Sequence, residues 1–78
     1  MITNSEILNI KQRFGEKVKF FRHQKSWSQE KLALEAGIDR TYLPGIEKGE
    51  RNVSITVVEK LAIALEVEIK VFFDDNAK

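Results

Sequence analysis

The 78-residue sequence has no cysteine, one proline and no apolar run near the roughly 20 residues that span a bilayer. Without cysteine it has neither disulfides nor thiolate metal sites, so an apolar core must stabilise the fold. Residues 1–14 lack the basic start and apolar stretch of a signal peptide, and we therefore expect a cytoplasmic protein. The length allows one small domain, so residues 1–78 are interpreted as a single domain.

Residues that catalyse reactions or bind metals are also scarce. His23 is the only histidine, and no second metal ligand lies near it in the sequence. We find no paired carboxylates, no glycine loop that would hold a phosphate, and no serine or threonine with a plausible His/Asp set around it. We therefore expect no enzyme activity, no metal, no cofactor and no small-molecule substrate.

The net charge of +1 gives no reason by itself to expect a nucleic-acid partner. Its distribution is uneven: residues 1–51 hold ten Lys/Arg against seven Asp/Glu, or +3, and residues 52–78 hold three against five, or −2. Two readings stay open, a weakly basic half that faces nucleic acid and two ordinary solvated faces.

Apolar residues at helical spacing predict a long first helix and a short second one. The first runs from Ser5 to about Lys25, with these residues on its apolar face: Ile7, Ile10, Phe14, Val18 and Phe21. Ser28 is the expected N-cap of the second helix, since its hydroxyl can accept a hydrogen bond from a first-turn amide, and Gly37 ends that helix. Leu32, Ala33 and Ala36 lie at helical spacing within it.

Two further helices follow the same logic. Asp39 is the expected N-cap of a third helix from about Arg40 to Lys48, with Leu43 and Ile46 facing inward. Ser54 is the expected cap of a fourth helix, whose apolar residues are Ile55, Val58, Leu61, Ala62 and Leu65.

Residues 67–73, VEIKVFF, alternate in polarity and are rich in β-branched and aromatic side chains, which favours a strand. A single strand has no partner in this chain, so a short fifth helix is the preferred interpretation. The predicted fold is therefore all-α, a compact bundle of five helices with a helix-turn-helix over residues 28–48.

Two short helices joined at a steep angle through Gly37 are typical of modules that present one helix to the DNA major groove. Arg40 and Thr41 lie at the start of the third helix, where an arginine can donate two hydrogen bonds to guanine and a threonine can contact thymine. Gln29, next to the N-cap of the second helix, can bind a phosphate together with the free amides there.

Residues 28–54, SQEKLALEAGIDRTYLPGIEKGERNVS, resemble the helix-turn-helix of phage-repressor and Xre-type DNA-binding proteins. Within them, DRTYLPGIEKGERNVS is similar to the controller proteins of restriction-modification systems, small homodimeric transcription regulators. The resemblance implies a lambda-repressor-like bundle of five helices. It also implies a homodimer on a two-fold symmetric operator of double-stranded DNA, with one recognition helix in each half-site.

The same resemblance implies roles for individual residues. Base-reading or groove-facing positions fall on Arg40, Thr41, Tyr42, Pro44 and Gly45, and DNA-backbone contacts fall on Gln29, Arg51, Asn52 and Ser54. Arg22 and Glu47 match a structural ion pair between the first and third helices. Removing one residue of a partly buried ion pair is expected to destabilise the fold more than removing both.

Pro44 departs from the family pattern, which usually has serine there, and Gly45 has no side chain with which to read a base. The proline removes the donor that would pair with the Arg40 carbonyl and disfavours helical angles at Leu43. We expect a kink or a tightened first turn, in a recognition helix that is bent but functional and has a changed base preference.

The sequence also suggests which residues contact other protein chains. The C-terminal apolar residues least needed for the core are the expected homodimer contacts: Val57, Ile69, Val71 and Phe73. Contact with RNA polymerase would follow for a transcription regulator. The alternative is an antitoxin or a protein-interaction module that acts with a partner protein, which an exposed apolar patch not used for self-association would favour.

Overall fold

The computed structural model describes residues 4–74, with side chains from Ile10 onward, and within that part the chain is helical without strands. Its elements in order are α1 (Asn4–Gln24), α2 (Gln29–Ala36), α3 (Tyr42–Glu47), α4 (Ile55–Leu65) and a 3-10 helix (Ile69–Phe72). The side chain of Ile7, assigned above to the apolar face of α1, lies outside the described residues. No helix of the described part is long and apolar enough to cross a membrane.

The expected caps determine where α2 and α4 begin. Ser28 Oγ accepts a hydrogen bond from Lys31 N at 3.0 Å, and Ser54 Oγ accepts one from Val57 N at 3.3 Å. Gly37 ends α2 at φ 70°, a left-handed conformation that costs glycine little, and Ile38 N donates to Ala33 O at 3.0 Å. These local bonds turn the chain sharply from α2 towards α3.

One core joins all the elements. Its buried apolar side chains are Phe14, Val18, Leu32, Ala33, Ala36, Leu43, Ile46, Val58, Leu61, Ala62, Leu65 and Phe72. Two of the apolar residues that define the predicted helices are exposed: Ile55, at the first position of α4, is 81% exposed, and Ile10 is 39% exposed.

The fifth expected helix is a 3-10 helix and not an α-helix. Its bonds join residues three apart, from Val71 N to Glu68 O at 3.1 Å and from Phe73 N to Lys70 O at 3.0 Å. This tighter winding turns Phe72 fully into the core, where its ring centroid lies 5.0 Å from that of Phe14. Within residues 67–73, Phe72 is buried and Val67 and Val71 are half-buried, while the other residues are exposed.

Candidate DNA-binding surface

The chain enters α3 through a turn held by Asp39. Its Oδ1 accepts hydrogen bonds from Thr41 N and Thr41 Oγ1, each at 2.8 Å, and these bonds lower the pKa of the Asp39 carboxyl below its usual value. Tyr42 N donates to Asp39 O at 3.1 Å. The α-helix accordingly begins at Tyr42, two residues later than predicted, and Arg40 and Thr41 lie in the turn before it.

Pro44 explains the late start. In a regular α-helix the Arg40 carbonyl would accept from residue 44, which has no N–H. Leu43 N donates to Arg40 O instead, at 3.3 Å, so the bond spans three residues and not four. The first turn is tightened, as expected, and the helix continues through Pro44 to Glu47.

The two sides of α3 differ sharply in exposure. Leu43 and Ile46 are buried, whereas Thr41, Tyr42 and Pro44 face solvent. Burial of each large apolar side chain stabilises the fold by roughly 1.5 to 3 kcal/mol, which holds the short helix in place despite its proline. The start of α3 is therefore exposed, while Leu43 and Ile46 attach the helix to the core.

Glu47 fixes the far end of α3 to two other elements. Its carboxylate accepts from Arg22 Nε at 2.7 Å and from Arg22 Nη2 at 2.9 Å, while Arg22 Nη1 donates to Trp27 O at 2.7 Å. Both side chains are nearly buried. The bonds to Glu47 raise the pKa of Arg22 against the opposing effect of burial.

Gln29 joins this network. Its Nε2 donates to Glu47 Oε1 at 3.0 Å, so the amide group of the side chain is directed at α3. A phosphate contact by Gln29 stays a prediction.

Arg40 lies at the exposed start of α3 and pairs with Glu30 of α2. Both side chains are about 70% exposed, at 70% and 68%, so the pair lies at the surface where solvent screens it. The sequence pattern did not predict Glu30 as the partner of Arg40. The two residues are ten positions apart, Glu30 on α2 and Arg40 in the turn before α3, and no spacing rule connects them.

Tyr42, Arg51, Asn52 and Ser54 line one cleft between α3 and the start of α4. The guanidinium carbon of Arg51 lies 4.3 Å from the centroid of the Tyr42 ring. Ser54 caps α4, and its hydroxyl lies 3.1 Å from Thr56 Oγ1. The structure thus brings four of the predicted DNA-contacting residues together, with Gly45 beneath the stem of Arg51.

The predicted dimer residues fall into two groups. Ile69 and Phe73 are 41% and 44% exposed, whereas Val57 and Val71 are half-buried. The sequence pattern did not identify Ile63 as an exposed apolar residue, although it is 71% exposed on α4. It lies eight positions after the exposed Ile55, so both share one face of that helix.

Comparison with known proteins identifies a matching family model and similar control proteins. The family model described as helix-turn-helix matches residues 18–72. The control protein C.BamHI of Bacillus amyloliquefaciens is 49% identical over 67 residues, which cover 85% of this chain and 83% of that protein.

Solved structures show the same architecture. The restriction-modification controller protein C.AhdI from Aeromonas hydrophila is 44% identical, with a TM-score of 0.76 over 80% of this chain and 94% of the other. The controller protein C.Esp1396I, solved as a tetramer with its natural 35 base-pair operator, is 38% identical, with a TM-score of 0.74 over 82% of this chain and 84% of the other.

Proposed function

This chain belongs to the helix-turn-helix family, and from that premise we propose that it is a transcription regulator that binds specific double-stranded DNA sequences. It binds a two-fold symmetric operator as a homodimer and places one α3 in each half-site. Its similarity to C.BamHI and C.AhdI favours a controller protein of a restriction-modification system. Residues 1–78 act as one DNA-binding domain in the cytoplasm.

The proposal rests on one observation: the start of α3 is exposed, while the end of the same helix is held against α1. Arg40, Thr41 and Tyr42 face solvent, while Glu47 ties the same helix to Arg22. Side chains at the start of a recognition helix are those that reach base edges in the major groove. Because α3 is held from behind, little ordering is needed when it meets DNA.

Each residue of the surface has a role in the proposal. Arg40 donates to guanine after leaving Glu30, and Thr41 and Tyr42 contact a base or the adjacent phosphate. Pro44 and Gly45 take groove-facing positions without a side chain that hydrogen-bonds a base. The remaining contacts, to the DNA backbone, come from Gln29, Arg51, Asn52 and Ser54.

Self-association uses the apolar residues left exposed at the C-terminal end of the chain. Ile69 and Phe73 are the central candidates, with Val57 and Val71 half-buried beside the core. The related C.Esp1396I is a tetramer on its operator, which supports an assembly of dimers on DNA. Sedimentation at tens of micromolar should give a dimer, and a monomer at that concentration would remove this part of the proposal.

Regulation follows from where the dimer binds. A dimer beside a promoter would contact and recruit RNA polymerase, and one across the promoter would block it. The operator position therefore decides the sign of the effect.

Selection of duplexes from a random-sequence library tests the function, followed by fluorescence anisotropy of the selected duplex and a scrambled one across a salt series. We expect a preference of about a thousandfold or more, with affinity falling as salt rises. Arg40→Ala should weaken binding to the selected duplex more than Lys60→Ala, a control on the exposed face of α4. Equal, weak binding to both duplexes would contradict the proposal and favour a module that acts with a partner protein.

A further inference from the structure

Pro44 provides the exposed side chain in the middle of α3. Of residues 43–47 it is the only one that is exposed. Gly45 adds no side chain beside it, and the stem of Arg51 lies over that glycine, since a Cβ built there would be 3.4 Å from Arg51 Cδ. A surface that approaches the middle of α3 from outside therefore meets the ring of Pro44.

The ring lies on the same side of α3 as the two residues proposed to read bases. Arg40 and Thr41 are four and three positions before Pro44, and residues at these separations are neighbours on a helix surface. Helical winding runs through this stretch, because Leu43 N donates to Arg40 O at 3.3 Å and Thr41 has helical angles of φ −69° and ψ −13°. Pro44 therefore faces the major groove when Arg40 and Thr41 do.

The position of the ring is fixed before DNA binds. The flanking residues Leu43 and Ile46 are buried in the core, and the Glu47 carboxylate holds the end of the helix to Arg22. A proline side chain also has almost no rotamer freedom to lose on burial. A contact through Pro44 therefore needs little ordering of the protein.

The chemistry of the ring limits what it can contact favourably. It has neither a donor nor an acceptor, so a polar group pressed against it would lose water without gaining a hydrogen bond. In the major groove the bases present donors and acceptors, and thymine alone adds an apolar group, its C5-methyl. The Pro44 ring is therefore complementary to thymine and not to the other three bases.

We infer that Pro44 reads a thymine by packing its ring against the C5-methyl group, beside the base that Arg40 or Thr41 contacts. The inference rests on the proposed function and names a specificity-determining contact of its recognition helix. The contact discriminates through apolar area and not through a hydrogen bond. Burial of one methyl group corresponds to about a fourfold change in Kd.

Deoxyuridine in place of thymidine removes the methyl group alone and tests the inference without a change in the protein. Each thymine of the selected duplex is replaced in turn, at equivalent positions of the two half-sites, and Kd is measured by fluorescence anisotropy. We expect a methyl-sensitive thymine in each half-site, at which replacement weakens binding about fourfold per half-site.

Two variants determine which residue contacts that methyl group. Pro44→Ser removes the ring, whereas Thr41→Ser removes only the threonine methyl and keeps the hydroxyl that donates to Asp39. The difference between the thymine and uracil duplexes should vanish in Pro44→Ser and persist in Thr41→Ser. Base discrimination elsewhere in the duplex should stay within about twofold of the wild type in Pro44→Ser, which would show that α3 docks as before.

The comparison of two duplexes within one variant cancels any uniform change in affinity, and circular dichroism checks that each variant is folded. A difference that persists in Pro44→Ser, or a wild type with no methyl-sensitive thymine, would overturn the inference. Loss of discrimination at every position in Pro44→Ser would also overturn it, because Pro44 would then act on α3 as a whole. The proposed function would stand in all these cases, since the wild type would still select a sequence. If the wild type selected no sequence, both would fail.

Discussion

The two helices of the helix-turn-helix are held in place by different means. α2 is defined locally: the Ser28 hydroxyl caps its start and Gly37 ends it in a left-handed conformation. α3 has only six residues, contains Pro44, and has no side-chain cap at Thr41. Its position depends on buried Leu43 and on contacts from α1 and α2. A helix that is fixed from behind can therefore carry, on its outer face, residues that are unfavourable in helices.

The largest expected effect breaks the attachment of α3. Glu47→Ala would leave the Arg22 guanidinium nearly buried without its carboxylate, which costs about 3 to 5 kcal/mol of unfolding free energy. Urea unfolding measures it. Glu30→Ala is the matched control, since Glu30 also pairs with an arginine but at the surface, and it should cost less than about 1 kcal/mol. Similar losses in the two variants would contradict the distinction between the helices.

A second substitution tests how closely α3 packs on α1. A Cβ at Gly15 would lie 2.3 Å from Ile46 O and 2.9 Å from Glu47 O, which are backbone atoms of α3. Gly15→Ala should therefore destabilise the protein by about 1 to 3 kcal/mol through overpacking, although alanine is the better helix former. Thermal unfolding measures it, with Glu16→Ala as the exposed control on α1. A Gly15→Ala variant more stable than the wild type would refute this packing.

The caps give a smaller effect. Ser28→Ala removes the hydroxyl that accepts from Lys31 N and should cost about 1 kcal/mol. Thr41→Ala removes a hydroxyl that donates to Asp39 but caps no helix amide. It should lower the free energy of unfolding by only about a few tenths of 1 kcal/mol. Urea unfolding of both variants compares them. An equal or larger loss for Thr41→Ala would mean that α3 also depends on a local cap.

The smallest effect is a pH dependence at the start of α3. Hydrogen bonds from Thr41 lower the pKa of Asp39 in the folded state, so this carboxylate stabilises the fold above its ordinary pKa. The contribution is lost as pH falls through the lowered folded pKa. Carboxyl NMR titration should show a midpoint for Asp39 below that of an ordinary aspartate, and Asp39→Asn should remove the pH-dependent change at Thr41 N. A midpoint at or above the ordinary value would rule out the turn described here.

The caps of α2 and α4 could be predicted from the sequence because they depend on residues close together in the chain. The expected cap of α3 was wrong: its N-cap is Thr41, without a side-chain bond, and not Asp39. Ser28, Gly37 and Ser54 act within one turn of their own helix, and the structure has them where the pattern predicts. The helical nature of the chain followed from apolar spacing in the same way.

The remaining features depend on contacts that no local pattern encodes. Pro44 predicts a disturbed turn, but the shift of the α3 start to Tyr42 depends on which donor takes the Arg40 carbonyl. Burial of Phe72 depends on the space beside Phe14, which is 58 positions earlier in the chain. Within the site, the Glu30 pair with Arg40 and the position of Arg51 over Gly45 join separate elements.

The measurement that tests the central claim most directly is an amide NMR titration of the labelled protein with the selected duplex and with a scrambled one. If α3 is the recognition helix, the selected duplex should shift the amides of residues 40–43, 45 and 51–54 and those at the start of α2. The amides of Ile63 and its neighbours on α4 should stay unchanged at a constant dimer concentration. Shifts centred on α4, with residues 40–45 unaffected, would contradict the account.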